Sequence, residues 1–282
     1  MRKIFFPTPA LLALLLVLFL PGISQTIDLK SFPTSSPANG IKIYRLNSDS
    51  FFGNKQQVAI AEIQKEALPL RQVSIAYSET LLKKTSTFAE EAGAMVALNG
   101  GFFDVEKGGS VAYLEADGKV VANTRLAKDK WGKTDSLLNG AVIVDMTGTL
   151  KLELAKPADF YAKSEHEKAV MVAGPMLLLE GKSLPLEKSA FVTNRHPRSC
   201  LCETNDNSIL FIAIDGRSQA SAGMTLVETQ KFLLALKCTN AINLDGGGST
   251  TLWVNDPVEN KIINHPSDKT GERPVANILL IK

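Results

Sequence analysis

The sequence predicts an α+β fold: a single domain of mixed, largely antiparallel β-sheet with two main helices packed on it. Three observations lead there. Short apolar, β-branched runs follow one another from residue 41 to the C-terminus, each bounded by Gly, Asn, Asp or Pro, which is how strands read in a sequence. Only two segments carry helix-start chemistry. Neither a regular strand–helix alternation nor a second composition regime divides residues 41–282, so they read as one domain.

The strand runs are, in order, Ile41–Leu46, Val58–Ile63, Val73–Tyr77, Ala94–Leu98, Val111–Leu114, Ala141–Asp145, Val170–Ala173, Met176–Leu179, Ser199–Glu203, Ile209–Ile214, Ala241–Leu244, Thr250–Val254 and Val275–Ile281. Glu203-Thr204-Asn205-Asp206-Asn207 has the composition of a hairpin turn between two of them. The first helix is signalled by a capping box, Thr87 as N-cap with Glu90 three residues on, and by Gly93 as its stop. Thr225 and Glu228 repeat the device and open a longer helix reaching about Lys237. Its buried stripe is either Leu226, Leu233 and Leu236 or Val227, Leu234 and Cys238.

Charge narrows the classes of function. The chain has 31 Lys plus Arg against 29 Asp plus Glu, a balance that offers nucleic acid no basic surface. Arg2 and Lys3 precede the apolar run Ala10–Leu20, then Pro21, Gly22 and Ser24, the order of a secretory signal peptide occupying residues 1–24. The run is shorter than the ~20 residues of a membrane-spanning helix, so no stable membrane anchor is expected after cleavage. Without residues 1–24 the chain is neutral, with 29 charges of each sign. Residues 25–40, rich in Ser and Pro, read as a linker, and the expectation is an exported, periplasmic or secreted protein.

Three cysteines are too few for a disulfide scaffold. Cys200 and Cys202 share one face of a strand. Buried small hydrophobes are the leading reading, and one bridge to Cys238 is the alternative.

Candidate chemistry gathers at strand ends. Asn243-Leu244-Asp245-Gly246-Gly247-Gly248-Ser249-Thr250 delivers a carboxylate at the end of a buried strand, and the three glycines can turn successive N–H groups inward as an anion-binding nest. No lysine follows, so it is not a nucleotide-binding P-loop. Asn99-Gly100-Gly101-Phe102-Phe103-Asp104 repeats the layout. Asn99 offers donor and acceptor to a sugar hydroxyl, the phenylalanines read as core, and Asp104 is either catalytic or a loop cap. Arg195-His196-Pro197-Arg198, Asp215-Gly216-Arg217 and Glu272-Arg273-Pro274 place arginines, suited to bidentate grip of phosphate or carboxylate, beside strand ends or glycines. Asp215 also ends an apolar strand, whereas the capping box alone could account for Glu228. The three histidines have no metal-ligand spacing, and no cofactor or metal is called for.

Taken in order, Ala97–Asp104, Ala173–Leu177, His196–Ser199, Asp215–Arg217, Gly223–Glu228, Asn243–Thr251 and Glu272–Val275 resemble the phosphodiester glycosidase family, whose animal member removes N-acetylglucosamine from a sugar-phosphate diester. The likeness spans about residues 70–282 and departs after Ser199, where the family continues Ala-Ile-Gly and this chain has Cys200-Leu201-Cys202. It implies a hydrolase whose partner is a carbohydrate or glycosyl-phosphate substrate in an envelope or exogenous glycan. Asp245 or Glu228, with Asp215 as a third candidate, would serve the anomeric carbon. Arg198, Arg217, Arg273, Ser249 and the Gly246–Gly248 amides would hold phosphate, and Asn99, Gly100, Asp104 and Asn243 the sugar. Two alternatives stand beside it: a glycosidase on a non-phosphate polysaccharide or peptidoglycan bond, with Asp104 as acid, and a glycan- or phosphate-binding module without turnover.

Overall fold

The computed structural model describes residues 26–123, 136–256 and 261–282, so the expected signal peptide lies outside the described residues. Three sheets make the frame, and every strand pairing among the described residues is antiparallel. The first has eight strands in the order Thr34–Ala38, Ile41–Ser48, Gln56–Ile63, Ile209–Ile214, Arg198–Thr204, Cys238–Asn243, Met176–Leu179, Lys182–Ser183. The second has five, Lys119–Ala122, Leu114–Ala116, Glu167–Ala173, Gly140–Asp145, Leu150–Leu154. The third has four, Leu252–Val254, Val96–Asn99, Asn277–Ile281, Val73–Tyr77.

Continuous apolar runs arise because the sheets are covered on both faces. Along Ile209–Ile214 every residue is buried. Ile209, Phe211 and Ala213 enter the core shared by all three sheets, while Leu210, Ile212 and Ile214 face the helix Leu226–Ala235 on the other side. That helix follows the Leu226–Leu233–Leu236 stripe, and Val227 is left 47% exposed. The helix Thr85–Ala92 packs through Phe88 and Ala89 on the outer face of the four-stranded sheet, against Trp253, Ile278 and Leu280.

Several expectations are revised. Residues expected as linker fold in part, since Thr34–Ala38 pairs with Ile41–Ser48 as the edge strand. Thr87 is no N-cap: the first helix begins at Thr85, and its N-terminus is capped from far along the chain by Glu272, which accepts from Ser86 N at 2.9 Å and Ser86 Oγ at 2.6 Å. Gly93 does terminate it, at φ 64°. For the cysteines the alternative of one bridge to Cys238 holds: Cys202 and Cys238 form a disulfide between neighbouring strands, and Cys200 is a buried free thiol. Burial pushes that thiol up to about 12.

Candidate active site at the glycine loop

Strand ends from two sheets converge on one place. Asn99 ends its strand, Asn277 and Arg198 begin theirs, and Ile214 and Asn243 finish theirs. Asn99 joins them. Its amide oxygen accepts from Ser199 Oγ at 2.6 Å and Thr251 N at 3.1 Å, and its NH2 donates to Asp245 O at 2.6 Å. Fully buried and held this way, Asn99 fixes the loop carrying Asp245, in place of the sugar contact expected of it. Gly100 belongs to the same stitch, its N–H donating to Asn277 O and its carbonyl accepting from Asp245 N, both at 3.0 Å.

The loop itself is a short 3-10 turn, Gly247–Ser249. It differs from the expected nest of successive inward amides. Gly247 N–H donates to Pro197 O at 2.9 Å, and the amides of Ser249 and Thr250 bond back to Gly246 and Gly247. Two glycines have separate reasons. Gly247 has φ 63°, and a Cβ there would lie 3.1 Å from Arg217 Nη2. Any side chain at Gly248 would collide with Asp268 Oδ1 and Arg273 Nη2. Beside the turn, Ser249 Oγ, Thr250 Oγ1, Thr251 Oγ1, Asn243 Oδ1 and Asn277 Nδ2 are buried without a protein partner. Buried polar atoms are ordinarily satisfied, so these five are exceptions gathered at one place.

The arginines divide by task. Arg217 is exposed, its guanidinium lying against Gly247 and its Nη2 3.4 Å from His196 Nδ1. Arg273 grips Asp268 with a two-pronged pair, Nε to Oδ2 at 2.8 Å and Nη2 to Oδ1 at 3.0 Å, directly over Gly248. Arg198 is withdrawn from any phosphate clamp. It is 1% exposed and donates to the carbonyls of Met224, Phe191 and Asn194 at 2.9, 2.7 and 3.0 Å, a buried brace. Burial, and secondarily Arg217, lowers its pKa to about 10.

The carboxylates divide too. Asp245 stays at the loop, partly exposed. Glu228 closes the capping box, accepting from Thr225 N at 2.9 Å, and pairs with Arg195, so its role is structural. Asp215 is 3% exposed and points to the segment after the loop: Oδ1 accepts from Asn264 Nδ2 at 3.0 Å and His265 N at 2.9 Å, and Oδ2 lies 3.1 Å from His265 Nδ1. Asn264 in turn donates to Thr250 O at 3.1 Å. Asp215 therefore positions the loop from beneath. Asp104 caps a turn, accepting from Glu106 N and Lys107 N at 2.8 and 2.9 Å, and those bonds hold it below the usual carboxylate range. Asn243 spends its NH2 on Gly174 O and Leu244 O, which leaves its oxygen turned to the unpartnered group.

Residues 92–282 match the phosphodiester glycosidase family over more than half of the chain. The chain belongs to the phosphodiester glycosidase family. N-acetylglucosamine-1-phosphodiester alpha-N-acetylglucosaminidase of Bos taurus is 28% identical over 210 residues, 68% of this chain and 38% of that protein. A prophage-derived Bacillus subtilis protein is 39% identical over 87 residues, 31% of this chain and 13% of that one. The chain thus spans well under two thirds of the curated relatives it matches. The catalytic domain of the zebrafish N-acetylglucosamine-1-phosphodiester alpha-N-acetylglucosaminidase, solved in a form auto-inhibited by its pro-peptide, shares the fold at TM-score 0.67 and 21% identity, covering 88% of this chain and 86% of that one. A hypothetical protein from Synechocystis does so at TM-score 0.64 and 16% identity, covering 89% of this chain and 63% of that one.

In this phosphodiester glycosidase domain two groups escape sequence reasoning. His196 stands between the arginines, and burial first, then Arg198 and Arg217, hold it below the usual imidazole pKa. Its place beside Arg198 in the HisProArg run is the one signal in the sequence. Asp268, 20 residues beyond Gly248, had no signal except the turn it forms with Gly271. Among the described residues there is no metal-binding cluster of His, Cys, Asp or Glu, and no helix long and apolar enough to cross a membrane.

Proposed function

We propose that the chain hydrolyses the bond between a sugar and phosphate in a sugar phosphodiester, at the glycine loop, outside the cytoplasm and on an envelope or exogenous glycan. One observation carries the reading: the exposed Arg217 guanidinium lies against Gly247, in the same glycine loop that carries Asp245, Ser249 and Thr250. That set suits a charged oxygen next to a sugar hydroxyl. Arg217 holds the phosphate. Asp245 serves the anomeric carbon, and the loop hydroxyls with Asn243 Oδ1 take sugar hydroxyls. The carbon–oxygen bond breaks with its electron pair on the phosphate oxygen, water supplies the new hydroxyl, and its proton passes through Asp245 to solvent. Phosphate leaves as a stable anion, so the second carboxylic acid of ordinary glycoside cleavage is not required. The Cys202–Cys238 disulfide supports an oxidising compartment, as does the N-terminal basic and apolar pattern.

The test is an N-acetylglucosamine phosphodiester beside a neutral aryl N-acetylglucosaminide. Sugar release is expected from the diester alone. Arg217→Ala should lower kcat/KM by roughly 10²-fold, the scale of one lost charge-stabilising donor, with melting temperature unchanged. Equal release from both substrates, surviving Arg217→Ala, would sink the reading. The neutral-glycoside alternative is weakened by its own candidate acid, because Asp104 is kept ionised by the turn it caps.

A further inference from the structure

A cleft lies at the opposite end of the eight-stranded sheet from the glycine loop. Arg198 starts one central strand near the loop, and Glu203 and Thr204 end it at the cleft, ~20 Å away at about 3.3 Å per residue. The volume is about 980 Å³, at the top of the roughly 300–1,000 Å³ typical of ligand sites. Nothing in the glycosidase reading uses it.

Its charges do not cancel. Lys151 is paired with Asp145 at 3.0 Å and Glu153 with Lys156 at 3.1 Å. Glu203 turns inward, its carboxylate accepting from Leu152 N at 3.0 Å and Asn240 Nδ2 at 2.8 Å. Lys65 and Arg71 are left on the wall with no acidic partner among the described residues, next to Gln72 and Asn207, whose side-chain amides have no protein partner there either.

The walls also discriminate among occupants. The cleft runs between two sheet edges, Leu150–Leu154 and Val73–Tyr77, where an extended peptide would pair. Glu203 already takes the Leu152 N–H, so the Leu150–Leu154 edge is blocked to a pairing strand. No aromatic residue lines the cleft, so a neutral sugar finds no stacking face. Two cations and two amides remain, a set that recognises charged oxygens spaced among hydroxyls.

We propose that this cleft is a second, non-catalytic binding site for an anionic oligosaccharide, gripped by Lys65, Arg71, Gln72 and Asn207. It would hold one part of a charged glycan while a distant linkage reaches the glycine loop.

Amide chemical shifts of the full domain are followed while titrating trigalacturonate, a glycerol-phosphate trimer, or maltotriose. None has a sugar–phosphate glycosidic bond, so the result is independent of activity at the glycine loop. Saturable shifts at Gln72 and Asn207 are expected with at least one anionic probe, and the tighter of the two distinguishes phosphate from carboxylate recognition. A Lys65→Ala/Arg71→Ala double variant, with its melting temperature checked, should weaken that binding about tenfold or more. Silence at Gln72 and Asn207 with both anionic probes, equal binding of maltotriose, or an unchanged affinity in the folded double variant would each overturn the proposal.

Discussion

Arg198 and Arg217 stand at the ends of neighbouring antiparallel strands, yet burial gives them opposite duties. Arg198, whose three carbonyl partners would be orphaned, is a stability residue: Arg198→Ala should cost about 3 kcal/mol or more in denaturant unfolding. Arg217→Ala, at an exposed site, should change stability by no more than about 0.5 kcal/mol. His196 makes the same neighbourhood pH-sensitive. Its folded pKa lies below its unfolded value of about 6.5, so acidification protonates the unfolded chain first. The stability from keeping it neutral is full above about pH 6.5 and is lost as the pH falls through the window down to the lowered folded value. Urea titrations at several pH values should show a steeper acid loss for the parent than for His196→Gln; parallel curves would refute this.

At the scale of elements, two helix N-termini are capped by different means. Thr225 and Glu228 form the local box expected of them, with Arg195 adding a charged partner. Glu228→Gln should cost about 1 kcal/mol of stability and leave turnover intact, whereas a loss of kcat without loss of stability would restore Glu228 as a catalytic carboxylate. The helix Thr85–Ala92 takes its cap from Glu272, which precedes Arg273. Its position is thereby tied to the segment that lays the Arg273–Asp268 pair over Gly248. Gly248→Ala must displace that pair, and its expected signature is weakened turnover together with a lower melting temperature.

For the whole molecule, the disulfide joins strands that pair in the central sheet and closes a separation of 36 residues. Chain-entropy reasoning gives about 4 kcal/mol for a loop of that size. A Cys202→Ala/Cys238→Ala variant should lose stability on that scale in guanidinium unfolding, and no loss would mean the three-sheet core suffices alone. That core also explains the topology. Each central strand sends alternate residues into different clusters, so a strand shifted by one residue would exchange them all. Strand ends, not strand middles, are therefore left for chemistry.

Most of the strand runs, the Thr225 box, the Gly93 stop and the places where polar residues follow buried strands are legible in the sequence, whereas the Val111–Leu114 run is strand only from Leu114, in Leu114–Ala116. These are local: a β-branched run, a left-handed glycine or an N-cap hydroxyl acts over a few residues. The sequence placed Arg217, Asp245 and the glycine loop together because their motifs all stand at strand ends. What each side chain does there depends on long-range packing. Asn99 reads like a sugar ligand until Ser199, Thr251 and Asp245 surround it, and Arg198 reads like Arg217 until its burial is known. Asp268 meets Gly248 and Glu272 meets Ser86 through contacts between residues far apart in the chain. Burial and long-range pairing are set by how strands stack, and no window of sequence contains them.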